Sequence, residues 1–290
     1  MINLHLPRVI TLARVQALCF ALTVAAAFNP GVTRAGHLPL WELGIGVGAL
    51  NTPPYRGSAS SVSFALPFPY AIYRGSVLQV DREDGVRGEL FESERLRFDL
   101  SLAGNVPVRD TDEGARSGMP GLDPLVEIGA EATVTLWRGA RSGNEFSFVM
   151  PFRMVYSVGD PLLAFQGLTL SPYLNYRIRV EDEASLTRYN ISLGPIFASN
   201  RYHEYFYEVT PEFATPERPV YEASGGYSGS RVTLSATRYF HDFTIGVWAR
   251  YDSLDGAVFA DSPLVETDDY FIFGVVFAWI LGRSDTMVEH

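Results

Sequence analysis

The chain has 290 residues, 47% of them hydrophobic and 13% aromatic, and a formal net charge of −10. All 23 basic residues are arginine, and the single cysteine, Cys19, lies in the leading segment, so the body of the chain has no disulfide, thiol nucleophile or cysteine metal site. An acidic balance of this size excludes nucleic acid as a default partner, because phosphate contacts need clustered cations.

Residues 1–35 read as a secretory signal. Arg8, Arg14 and Arg34 are the only fixed charges before Glu42, the apolar run Val15–Phe28 follows the basic start, and Asn29-Pro30-Gly31 closes it. That run is short of the ~20 residues a spanning helix needs. Cleavage after Ala35, with Ala25-Ala26-Ala27 as a second candidate, removes three cations and leaves about −13 on about 255 residues. No Pro/Gly/Ser linker divides them, so residues 36–281 read as one domain, followed by a polar tail at 282–290.

From there the pattern has period two. Trp41, Leu43, Ile45, Val47 and Ala49 alternate with Glu42, Gly44, Gly46 and Gly48, and Phe243, Ile245, Val247, Ala249 and Tyr251 alternate with Thr244, Gly246, Trp248, Arg250 and Asp252. Successive strand side chains point to opposite faces, so each such segment has one apolar and one mixed face. Strands are predicted near 41–50, 60–73, 76–82, 86–92, 95–104, 122–137, 145–157, 165–180, 186–199, 229–240, 243–254 and 270–281. The long gaps fall at the odd positions (51–59, 83–85, 105–121, 158–164, 200–228, 255–269), apart from the tight Glu83-Asp84-Gly85 turn, and the even gaps are 74–75, 93–94, 138–144, 181–185 and 241–242. Short turns on one side and long loops on the other are the habit of outer-membrane barrels. The fold class expected is therefore all-β, a single antiparallel transmembrane β-barrel of about twelve strands. The count falls to ten if 76–92 is a bulged strand. A soluble β-sandwich or lipocalin-like barrel shares the alternation but does not need large apolar side chains facing one way on so many strands.

Placing the apolar rows toward lipid leaves Glu42, Arg97, Asp99, Glu127, Glu131, Arg153, Arg177, Arg179, Arg231, Arg250 and Asp252 facing inward. Charges of both signs on neighbouring strands predict pairing across a filled interior rather than a ring of one sign around a selective pore. Gly44, Gly46 and Gly48 leave room for side chains from the far wall. Trp41, Tyr70, Tyr73, Trp137, Tyr156, Tyr239 and Tyr251 sit at strand ends, where an interfacial aromatic belt is expected. The segment 270–281 is apolar on both faces and reads as a final strand packed on two sides or as the seam strand closing on the first.

No catalytic constellation emerges. His203-Glu204 opens HEYFY, but a zinc-binding helix would need its second histidine where Tyr207 stands. His241-Asp242 is a hairpin-turn pair, and Ser262 beside Asp261 has no histidine near it in sequence. The clusters Asp110-Thr111-Asp112-Glu113, Glu181-Asp182-Glu183 and Asp268-Asp269 match no defined calcium loop and read as solvated turn charge, although divalent ions bridging lipopolysaccharide would suit them. No enzyme, cofactor or metal is predicted; membrane lipid and lipopolysaccharide are the default surroundings.

Several motifs are similar in order and spacing to the MipA/OmpV family of outer-membrane proteins. Pro54-Tyr55-Arg56-Gly57-Ser58, Pro69-Tyr70 and Tyr73-Arg74-Gly75 resemble its opening, and Gly121-Leu122-Asp123-Pro124 its middle. Tyr207-Glu208-Val209, Tyr221 to Tyr227 with Gly225-Gly226, and Gly256 to Val265 with Asp261-Ser262-Pro263 resemble its C-terminal half. The resemblance implies a scaffold joining MltA, a lytic transglycosylase, to a murein-synthesising penicillin-binding protein. Other members imply the alternative of an adhesin or a narrow porin-like or small-molecule barrel, lidded by 200–228 and 255–269. Outer-membrane barrels usually end on an aromatic residue, whereas here the strand ends at Leu281, leaving Phe277 and Trp279 as internal aromatics. The loop prolines and glycines are expected to turn the chain, with Asp261-Ser262-Pro263 folding the last outer loop over the barrel mouth.

Overall fold

The computed structural model describes residues 37–75, 78–80, 86–105, 114–140, 142–182 and 185–289. The signal at 1–35, the Glu83-Asp84-Gly85 turn, the Asp110–Glu113 cluster and Glu183 lie outside them. The wall consists of β2 (Trp41–Thr52), β3 (Val62–Arg74), β4 (Leu78–Val80), β5 (Val86–Glu92), β6 (Leu96–Gly104), β7 (Leu125–Arg138), β8 (Glu145–Ser157), β9 (Ala164–Leu170), β10 (Tyr173–Glu181), β11 (Leu186–Ala198), β12 (Gly226–Tyr239), β13 (Phe243–Ser253) and β14 (Asp269–Arg283). Each pairs antiparallel with its chain neighbour, except that β9 and β10 lie end to end between β8 and β11. They form one stave broken at Ser171-Pro172, where proline has no N–H for the ladder. β14 pairs with β2 from Phe273–Asn51 to Arg283–Glu42, which closes a ring of twelve staves. The segment 270–281 is therefore the seam strand.

Alternation sorts the two faces. Leu43, Ile45 and Val47 on β2, Met150, Phe152 and Met154 on β8, and Phe271, Phe273 and Val275 on β14 face outward and are exposed, whereas Glu42, Asp99, Glu131 and Asp252 face inward and are buried. Ring closure pairs the strands edge to edge, although among the described residues β3 meets β4 only through Tyr73–Val80 and Arg74–Gln79, and the apolar exterior places hydrocarbon-compatible side chains toward lipid. Among the described residues no helix is long and apolar enough to cross a membrane.

Three expectations change. Tyr70 is not a belt residue: it stands opposite Gly44 on the inward face of β3, 2% exposed, and its hydroxyl donates to Glu42 at 3.0 Å. The space over Gly46 is taken by Phe68 of the adjacent strand, not by the far wall; a Cβ at Gly46 would lie 2.3 Å from the Phe68 ring. The polar tail is partly ordered: β14 runs on to Arg283, and β15 (Met287–Glu289) pairs with β1 (His37–Pro39) in a separate two-stranded sheet. Backbone bonds Leu40 N to Thr286 O (2.8 Å) and Arg74 N to Leu40 O (2.7 Å) tie that sheet to the short-turn end of the barrel.

The largest apolar clusters sit in the long loops. Tyr55, Leu122, Phe206, Tyr207, Ala223, Leu254, Ala257 and Phe259 pack together above the strand ends, joined by Leu125 and Val155. A second cluster of Met119, Val209 and Leu264 extends it. Within this cap lies α1 (Asn200–Tyr207), which the period-two reading did not anticipate. Its signal was present, since His203, Phe206 and Tyr207 stand at i, i+3 and i+4 and are its buried face.

Candidate functional site

The cap is assembled from residues far apart in the chain. Gly57 adopts φ +93°, a conformation that favours glycine, and its carbonyl accepts from Glu266 N (2.7 Å) and Thr267 N (3.1 Å). This sets Pro54 and Tyr55 against the last outer loop: the Tyr55 hydroxyl donates to Leu264 O at 2.8 Å, and Ser58 Oγ reaches Glu266 at 3.4 Å. From the other side, Ser262 Oγ donates to Tyr207 O (2.8 Å) and the Tyr207 hydroxyl donates to Arg56 O (3.0 Å). Gly225 N donates to Asn200 Oδ1 at 2.7 Å, which fixes the return of the 199–225 excursion at the start of α1; Gly226 then opens β12. Asp261 is exposed and Pro263 half-buried beside the buried Ser262. Burial, seconded by Glu266, pushes the Tyr55 hydroxyl up to about 12, so it stays a donor at any physiological pH.

Two cations plug the cap by capping carbonyls. Arg116 donates to Phe206 O (2.7 Å) at the end of α1 and to Pro120 O (3.2 Å). Arg218 donates to Phe213, Ala115 and Ser117 carbonyls. His203 is fully buried, with Nδ1 2.6 Å from Ser224 O and Nε2 2.6 Å from Ser228 Oγ. A carbonyl only accepts, so Nδ1 carries the proton and Nε2 accepts from the serine.

Below the cap, the inward charges fall into groups. Arg231, Asp252 and Tyr270 stand side by side in register on β12, β13 and β14. Arg231 binds Asp252 through two bonds of 2.9 and 3.0 Å, the Tyr270 hydroxyl donates to Asp252 at 2.7 Å, and Arg250 Nε lies 3.2 Å from it. Arg56 descends from the cap and donates to the same carboxylate at 3.2 Å. Arg153 donates twice to Ser101 and once to Glu131 (3.4 Å), and stands 3.9 Å from Glu127. Arg97 donates to Asp99 at 2.8 Å. On β10, Arg177 donates to Asn190 (3.3 Å) and Arg179 pairs with Glu181 (3.6 Å).

The motif residues thus divide between the two ends. Pro54, Tyr55, Gly57, Ser58, Gly225, Gly226, Asp261, Ser262 and Pro263 belong to the cap. Tyr73 and Arg74 lie at the opposite end, where Arg74 donates to Pro39 O (2.7 Å) and pairs with Glu42 at 3.5 Å. The lid expected from 200–228 and 255–269 also draws on 53–60 and 114–124. Sequence reading passed over Arg56 as a charge, although it lies inside a motif that reading quoted, because nothing local puts a loop arginine into the lumen.

Between cap and charge groups lies a chamber of about 530 Å³, lined by Arg56, Arg153, Arg231, Arg250, Glu127 and aromatic residues including Tyr202, Phe206 and Trp248. Ring closure, apolar exterior and packed mouth define the class: a membrane-spanning antiparallel β-barrel closed by its own long loops. The family model described as MltA-interacting protein MipA matches residues 45–281, and the chain belongs to that family. No curated protein matches the chain.

Proposed function

We propose that the protein is a non-enzymatic scaffold in the outer membrane of a Gram-negative cell, holding murein-processing enzymes near the membrane's periplasmic face. The observation that carries this reading is the capped mouth: a barrel whose long loops bury Tyr55, Phe206, Tyr207 and Phe259 in a common core does not offer an open path for bulk solutes. Family membership supplies the class of partner, since the family is described as MltA-interacting; a lytic transglycosylase is the first candidate and a penicillin-binding protein the second. With both chain ends periplasmic, as in barrels of this class, the β1–β15 sheet adds surface to turns that are otherwise short. Among the described residues those two strands pair only with each other, which leaves an outer edge on each for a partner's strand.

Crosslinking and affinity capture from detergent-solubilised envelope is the test. Recovery of a lytic transglycosylase or a penicillin-binding protein, reduced when residues 285–290 are deleted from an otherwise folded barrel, is the expected result. Recovery of neither with crosslinker present overturns the reading.

A further inference from the structure

The arginines around Asp252 exceed what that carboxylate balances. Arg56, Arg231 and Arg250 all lie within 3.2 Å of Asp252, which is fully buried. Three guanidinium groups on one carboxylate leave two positive charges at one spot. Two of these groups also keep unused hydrogen-bonding capacity: Arg56 Nη2 is buried without a hydrogen-bond partner, and Arg250 Nε, although 3.2 Å from Asp252, makes an ion contact with it rather than a hydrogen bond. Buried donors left unmatched are costly, and a forked guanidinium is suited to carboxylate and phosphate oxygens.

All three arginines face the 530 Å³ chamber, a volume within the range of small-molecule sites. Arg153, on the β7–β8 side, adds no positive excess: with Glu127 and Glu131 flanking it, that group carries one net negative charge. The positive excess is therefore confined to the β12–β13 wall. Tyr202, Phe206 and Trp248 give the same chamber flat apolar surface.

We propose that this chamber is a binding site for a small organic anion, a carboxylate or phosphate on a flat apolar body, with its acid group held by Arg56, Arg231 and Arg250. The site is independent of any periplasmic partner, so it stands or falls apart from the scaffold reading. The ring body rests against Trp248 and the underside of α1, and the acid group lies beside the fully buried Asp252 cluster, where the lower dielectric strengthens the ion pair.

The experiment is calorimetric titration of the full-length barrel, folded in detergent, with benzoate, phenyl phosphate and uncharged benzamide. The two anions are expected to bind at least ten-fold more tightly than benzamide, and the tighter of them identifies the preferred head group. Arg250→Gln and Arg56→Gln are each expected to lose ten-fold or more in anion affinity, while Arg138→Gln, a change at an exposed pair with Glu145, leaves it unchanged. Equal binding of benzamide and benzoate, or folded Arg250→Gln and Arg56→Gln barrels that bind like the parent, overturns the proposal. If neither variant folds, the unaltered protein decides: benzoate must raise its thermal unfolding midpoint above that in chloride at equal ionic strength, and no shift overturns the site.

Discussion

Tyr207 stacks flat on Phe259, with ring centroids 3.7 Å apart and planes within 8°. The pair joins the last residue of α1 to the final outer loop, and His203 meets the same Phe259 ring edge-on at 4.7 Å. This contact in the closed mouth joins two segments more than fifty residues apart, neither of which belongs to the wall.

Removing that contact should open the mouth without dissolving the barrel. Phe259→Ala is expected to destabilise the cap by about 3–5 kcal/mol, the usual cost of a buried aromatic truncation. Planar-bilayer recording checks it: the unaltered protein should be silent, and the variant should conduct while retaining heat-modifiable migration on a gel.

Asp252 holds the inner wall together for a different reason. Asp252→Ala strands three guanidinium groups in a confined space, and breaking a buried pair from one side costs about 3–5 kcal/mol. The unfolding temperature in detergent should fall markedly, and more than for Asp182→Ala, whose partner Arg238 is half exposed. Equal losses for the two would contradict this account.

The β1–β15 sheet gives a third test. Arg74→Ala removes the bond to Pro39 O and the pair with Glu42, a loss of about 1–3 kcal/mol. Because the barrel ladder does not pass through these contacts, the expected outcome is local: faster proteolysis within 284–289, with strand protection elsewhere unchanged.

His203 makes the cap sensitive to acid. Burial holds its pKa below the ordinary histidine value, aided by Arg56 and opposed by the Ser224 carbonyl bond. The folded state therefore binds fewer protons than the unfolded one in that range. The contribution is complete above the unfolded value of about 6.5 and is lost as pH falls through the lower folded value. Limited proteolysis of 199–225 should accelerate as pH falls below the unfolded value of about 6.5, and His203→Gln should flatten that dependence. A profile identical in the two proteins would remove His203 as the cause.

Much of the wall was legible because strand structure is written locally. Alternation along 41–50 and 243–254 assigned each residue a face before any partner was known, and the same parity put Arg97, Asp99, Glu131 and Asp252 inside. The alternating segments numbered twelve, as the ring has staves. The errors fell where neighbours, not period, decide: Tyr70 turned inward to meet Glu42, and Phe68 filled the space over Gly46.

What the sequence determined by itself, then, is the barrel: a period of two, repeated between short and long gaps, specifies strands, faces and closure through side-chain direction alone. What only the tertiary structure decided is how the ends are finished and where charge is left over. The cap brings together residues 55, 207 and 259, the hub brings Arg56 to Asp252 across 196 residues, and β15 returns to β1. Such contacts have no local periodicity, because loop segments meet through burial and hydrogen-bond satisfaction, and those are settled only when the ring has already set the distances between their anchors.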